Sequence, residues 1–213
     1  MAVQSSRTAG IGALAAASVA GGALASVTTA DYAPCGSTEG IASFRAHLTY
    51  AHSGGSAASV IIELENDTSL ALGGSITAVA VNPARGAAGI SFTSCSNPDF
   101  GGLAGPVSAP PFGEFAAGAS TGASWTGSES SSGGIAAGSS ALFVFLLSGS
   151  ASYLSALEAE TVLDSVGGAI AVRFRGGAGN DWSDKVLGCA LPAPGAVSLL
   201  GVAHLVGGRR QRS

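Results

Sequence analysis

Between residues 44 and 50 the chain alternates strictly, with Phe44, Ala46, Leu48 and Tyr50 set against Arg45, His47 and Thr49. A period of two marks a β-strand with one wet face. The signal returns at 59–65, where Val60, Ile62 and Leu64 oppose Glu63 and Glu65. Ser53, Gly54, Gly55 and Ser56 read as the hairpin between these strands, and Asn66 with Asp67 as the turn that follows. Further strands fit 75–81, 89–94, 141–148 and 168–175. In the last of these Ile170, Val172 and Phe174 are expected inside, and Ala171, Arg173 and Arg175 outside. The run Ala141 to Leu147 is apolar on both faces, which places it as a central strand covered on both sides, with a buried helix as the alternative.

One helix is predicted. Ser155 and Glu158 form a capping-box pair ahead of Leu157, Val162 and Leu163, so a short helix should bridge the last two strands. Residues 96–140 carry Pro98, Pro106, Pro110 and Pro111 and then a Ser/Gly/Ala tract with Trp125. A stretch that long predicts a weak strand, at Phe112 to Ala116 or Ala123 to Gly127. Strands without regular βαβ alternation point to an all-β fold of two packed antiparallel sheets, a jelly-roll-like β-sandwich.

The two ends read as addresses. Arg7 followed by the small-residue apolar run Ala9 to Ala25, with Ala23 and Ala25 before Ser26, is the pattern of a cleavable signal peptide, with Ala30 as the fallback site. At the other end Pro192 and Pro194 hold an extended segment. Ala196 to Gly208 follow as an apolar run, and Arg209, Arg210 and Arg212 stay on the cytoplasmic side. A helix over 191–208 would span about 27 Å, which suits a transient anchor better than a permanent one.

Motif, apolar run and arginine cluster, in that order, resemble the PEP-CTERM sorting tail of bacterial proteins handled by an exosortase. Leu191, Pro192, Ala193 and Pro194 stand where Val-Pro-Glu-Pro is usual, Gly195 follows, and His204 interrupts the apolar run. The body resembles the small β-sandwich ectodomains attached to such tails, in Val60 to Thr68, Leu142 to Leu147 and Ala171 to Asp184. The resemblance implies a signal helix at 1–25, an ectodomain at 26–190 and a sorting tail with a hydrophobic helix at 191–213. It further implies handling by the export translocon, signal peptidase and an exosortase-like membrane protease, with a transient membrane stage before the cell surface or medium.

All thirteen acidic residues lie between these ends, with five of the nine basic ones (Arg45, Arg85, Arg173, Arg175 and Lys185). Five minus thirteen leaves a net charge of −8 on that span, against −4 for the whole chain. That balance argues against nucleic acid, whose binders need a basic stripe. Cations and neutral polysaccharides fit better. Of the three cysteines, Cys35 and Cys189 flank the domain and are a candidate disulfide in an oxidising compartment, while Cys95 allows other pairings.

Candidate chemistry is thin. Gly118 to Gly122 spell G-x-S-x-G around Ser120, without the strand-and-helix flanks or the histidine that a serine hydrolase requires. His47 and His52 are expected on opposite faces as solvated residues without a third ligand. Asn180, Asp181, Ser183 and Asp184 gather oxygen ligands, making Asp181 and Asp184 calcium candidates, although the same residues suit an ordinary polar turn. Trp125 and Trp182 sit in loop-like surroundings where a ring can stack on a sugar or cap the core. Asn66, Asp67 and Thr68 match a glycosylation sequon but read as a turn. The sequence therefore predicts an exported, non-catalytic surface or matrix protein. A carbohydrate-binding module using the loop tryptophans, with calcium as its one conceivable cofactor and extracellular polysaccharide as partner, is the alternative.

Overall fold

The computed structural model describes residues 26–126, 133–164, 168–176 and 182–192. Its longer strands are β1 (Ser26–Ser37), β2 (Phe44–His52), β3 (Ala57–Asn66), β4 (Ser75–Val81) and β5 (Gly89–Cys95). Short strands follow: β6 (Gly101–Gly102), β7 (Val107–Ser108), β8 (Glu114–Phe115), β9 (Ala117–Ser120) and β10 (Ile135–Ala136). After β11 (Ser140–Ser148) come the helix α1 (Ala151–Ser155), β12 (Ile170–Arg175) and β13 (Ser183–Ala190).

The fold is all-β and antiparallel. Eleven strands form one sheet in the order β5-β11-β3-β2-β1-β13-β12-β4-β9-β6, with β10 also on β4, while β7 and β8 pair separately. The sheet curls until its two ends meet and is nearly a barrel. There Gly102 of β6 lies so close to β5 that an added Cβ would stand 2.8 Å from the ring of Phe92. The expected strands are all present. Their inward residues, among them Phe44, Leu48, Tyr50, Ile62, Leu64, Phe143, Phe145, Leu147 and Phe174, fill the interior as one apolar core.

Besides the short β6, β7, β9 and β10, two longer strands, β1 and β13, escaped the sequence reading, and these two pair with each other. In β13 the inward positions are Asp184, Val186 and Gly188, only one of them a large apolar side chain, so no alternation is visible. In β1 only Ala30 and Tyr32 turn inward, and the register shifts between Pro34 and Gly36, leaving Cys35 as the extra residue of a bulge.

The apolar run in β11 is one-sided. Ala141, Phe143, Phe145 and Leu147 are buried, but Leu142 and Leu146 are 42% and 46% exposed. The strands covered on both faces are β4 and β12 instead. Their outward Ala78, Ala80 and Ala171 pack under Val107, Ala109, Phe115 and Trp125 in a second apolar cluster. Alanine at these positions lets the overlying segment settle directly on the sheet. Arg173 points outward as expected but is covered too, and its Nη1 donates to the carbonyl of Trp125 at 3.2 Å.

The capping box does not form. Ser150, not Ser155, caps the helix by accepting from the Tyr153 N–H, and Ser155 is the last helical residue. This earlier start carries Leu154 into the core. Glu158 sits instead in a turn whose carbonyl accepts from the N–H groups of Thr161 and Val162. Of the two strand sites proposed within 96–140, the first holds β8, while no strand occurs at 123–126.

Candidate functional site

The two ends of the described chain meet on β1. Ala33 faces Cys189 across the β1–β13 ladder, and Cys35, from the bulge beside it, is disulfide-bonded to Cys189 with the Cα atoms 5.8 Å apart. Ser26 opens β1 opposite His52. Past β13, the Leu191 N–H donates to the Asp31 carbonyl at 2.8 Å, so the chain is still held by β1 one residue before Pro192. The remaining processing candidates, Ala23, Ala25, Ala193, Pro194, Gly195, Arg209, Arg210 and Arg212, lie outside the described residues. Cys95 is a half-buried free thiol whose pKa burial pushes up. Among the described residues no helix is long and apolar enough to cross a membrane.

Beside Leu191 opens a cleft of about 640 Å³ on the outer wall of the barrel. It follows from strand register. Arg45 stands opposite Glu65 and His47 opposite Glu63 across β2 and β3, while Asp31 stands opposite His47 across β1 and β2. The wet faces of three strands thus merge into one polar surface, running from Leu191 to Ser139 and Ser140. His47 Nδ1 lies 2.8 Å from Asp31. Arg45 gives Nη2 to Asp67 at 2.8 Å and Nε at 3.2 Å, and that pairing holds the Asp67 carboxyl below its usual range. Ser140 Oγ is 3.5 Å from Glu63. Sequence showed Arg45, His47, Glu63 and Glu65 as outward-facing, but which residues become their neighbours is set by the pairing of strands.

The sequence candidates are scattered rather than gathered. Trp125 is 2% exposed within the second apolar cluster, and its indole Nε1 has no hydrogen-bond partner. Its ring therefore offers no face to a sugar. Trp182 is partly buried at the edge of the main core and lies over Gly74, where a Cβ would come within 2.5 Å of the ring. Both take the core-capping role, at separate places.

Asp184 is fully buried, and both carboxylate oxygens are taken by protein donors. They accept from the hydroxyls of Ser37 and Thr38 and from the N–H groups of Glu39, Ile41, Ala42 and Lys185, at 2.8–3.0 Å. Burial pushes its pKa up, but the donors, foremost the Ala42 N–H and the Ser37 hydroxyl, outweigh burial and bring it to about 2. Asp184 is thus spent on the 37–42 loop and has no lone pairs left for calcium. Asp181 lies outside the described residues, and no cluster of three or more His, Cys, Asp or Glu suited to a metal occurs among the described ones.

Ser120 is buried in β9 with its hydroxyl donating to the Ser124 carbonyl, which is not the exposed elbow of a hydrolase. Asn66 is buried as well, its amide donating to the carbonyls of Gly74 and Ile135, so the sequon is closed to modification. His47 and His52 do face opposite ways. His52, however, is buried rather than solvated, with Nε2 3.1 Å from the Gly55 carbonyl in the hairpin.

These features define a disulfide-locked, nearly closed antiparallel barrel with a polar cleft on its wall. The chain matches no family model, no curated protein and no solved structure.

Proposed function

We propose that the protein is an exported, non-catalytic cell-surface or extracellular-matrix protein whose C-terminal tail directs membrane sorting and cleavage by an exosortase-type protease. The observation that carries this reading is the Cys35–Cys189 disulfide, which joins positions 154 residues apart and is the kind of bond that persists in oxidising compartments. It closes a loop containing nearly the whole described domain and leaves the candidate processing sites, before Ser26 and after Pro192, outside that loop. In this reading residues 1–25 form the signal helix and the apolar run of the tail forms the membrane helix. Opposite walls of the barrel play the two layers of a jelly-roll-like sandwich.

The test is mass spectrometry of both termini on protein from its native host, separated into membrane, surface and medium fractions. A chain starting at Ser26 and ending near Ala193, in surface or medium, is expected. An intact C-terminus held in the membrane would leave a plain tail-anchored ectodomain and remove the exosortase step. Cytoplasmic recovery would end the export reading.

A further inference from the structure

We propose that the cleft across β1, β2 and β3 binds a cationic amino-sugar polymer, with Glu63 and Glu65 receiving its ammonium groups. The proposal rests on the export reading for where the polymer is met, but not for how it is held.

The cleft runs across the strands, from Leu191 beyond β1 to Ser140 on β11. Three strand spacings make roughly 14 Å, room for a short oligosaccharide. Within this wall the ladders β1–β2, β2–β3 and β3–β11 are continuous, so the strands beneath the cleft already have neighbours on both edges. A ligand here is recognised by side chains, and a peptide cannot add as an extra strand.

Those side chains divide unequally. Arg45 turns both of its contacts to Asp67. His47 is joined through Nδ1 to Asp31. Both of these side chains therefore already contact a carboxylate. Arg45 also lies opposite Glu65 and within its electrostatic reach. That one guanidinium is set against Asp31, Glu63, Glu65 and Asp67, so Glu63 and Glu65, two residues apart on the same face of β3 and roughly 7 Å from one another by strand rise, keep a surplus of negative charge. Glu63 stands between His47 and Leu142 in the two ladders and accepts from the hydroxyl of Ser140 at 3.5 Å. Surplus negative charge beside serine hydroxyls and a histidine suits a chain carrying both amines and hydroxyls, and it repels a polyuronate.

The experiment is calorimetric titration of the purified full chain with a glucosamine hexamer. The fully N-acetylated hexamer, a galacturonate hexamer and an arginine-rich peptide serve as comparisons. Saturable binding of the glucosamine hexamer alone among the sugars is expected, weakening as ionic strength rises. The double variant Glu63→Gln/Glu65→Gln should bind roughly tenfold more weakly, and Glu114→Gln, on β8, should bind as the parent does. Equal affinity for the acetylated hexamer, tighter binding of the peptide, binding untouched by the double variant, or no binding would each overturn the proposal. Thermal unfolding of the double variant separates loss of the site from loss of the fold. None of these outcomes bears on the terminal masses, so the localisation reading stands or falls separately.

Discussion

The ring of Phe44 rests on the bare backbone of Gly188, two strands away across the interior, where a Cβ would stand 2.6 Å from the ring's Cζ. The contact explains why β13 carries a glycine at an inward position: the large ring supplied by β2 fills the space that a β13 side chain would take. Gly188→Ala should destabilise the fold by roughly 1–3 kcal/mol, the usual cost of overpacking. Urea denaturation would measure it. Phe44→Leu placed in the Gly188→Ala background should recover part of the loss, and the double-mutant cycle would then give a coupling of the sign that steric conflict requires.

Asp184 makes the fold acid-sensitive. Its folded pKa is depressed to about 2 from the ordinary aspartate value of 3.8. Its contribution is therefore complete above pH 3.8 and is lost as pH falls toward 2. Asp184→Asn, which turns an amide toward a ring of donors, should cost roughly 3 kcal/mol at neutral pH and flatten the stability profile across that acid window. Chemical denaturation at a series of pH values measures both effects.

Reduction of the Cys35–Cys189 bond should lower stability by roughly 2–5 kcal/mol, since the loop it closes is long. The Cys35→Ser/Cys189→Ser variant should match the reduced protein in thermal melts. Cys95, which forms no disulfide, should leave the melting temperature unchanged when replaced by Ala under oxidising and reducing conditions alike, apart from a common small offset.

The two faces of β11 should respond very unequally to substitution. Phe143→Ala removes a buried ring and should cost roughly 3–5 kcal/mol. Leu142→Thr and Leu146→Thr, on the open face, should change stability by about 0.5 kcal/mol or less. Equal costs on both faces would contradict the one-sided placement of this strand.

Period-two alternation made β2, β3 and β12 legible because each sets apolar residues inward and polar or small ones outward. Where the inward positions hold Asp184 and Gly188, or the outward ones hold Leu142 and Leu146, the same rule misleads. Asp184 is tolerated inside only because the 37–42 loop brings its donors, and a loop conformation is not written in hydropathy. The outward alanines of β4 gave no hint of a covering segment whose anchors, Phe115 and Trp125, come from a Gly/Ser/Pro-rich stretch. The cleft was legible only in fragments. Arg45, His47, Glu63 and Glu65 showed as one wet face per strand, whereas the partner Asp31 sits on β1, whose bulge and sparse core positions hid it.

Because β13 joins β1 to β12, the first and last strands of the described chain must meet before the sheet is continuous. No shorter prefix of this sequence can complete the wall, whatever its other strands have done. In vectorial synthesis, closure therefore waits for β13, the last strand of the described chain. Until then the strands can form only two separate pieces, β5-β11-β3-β2-β1 and β12-β4-β9-β6, and β13 is the seam that makes them one wall.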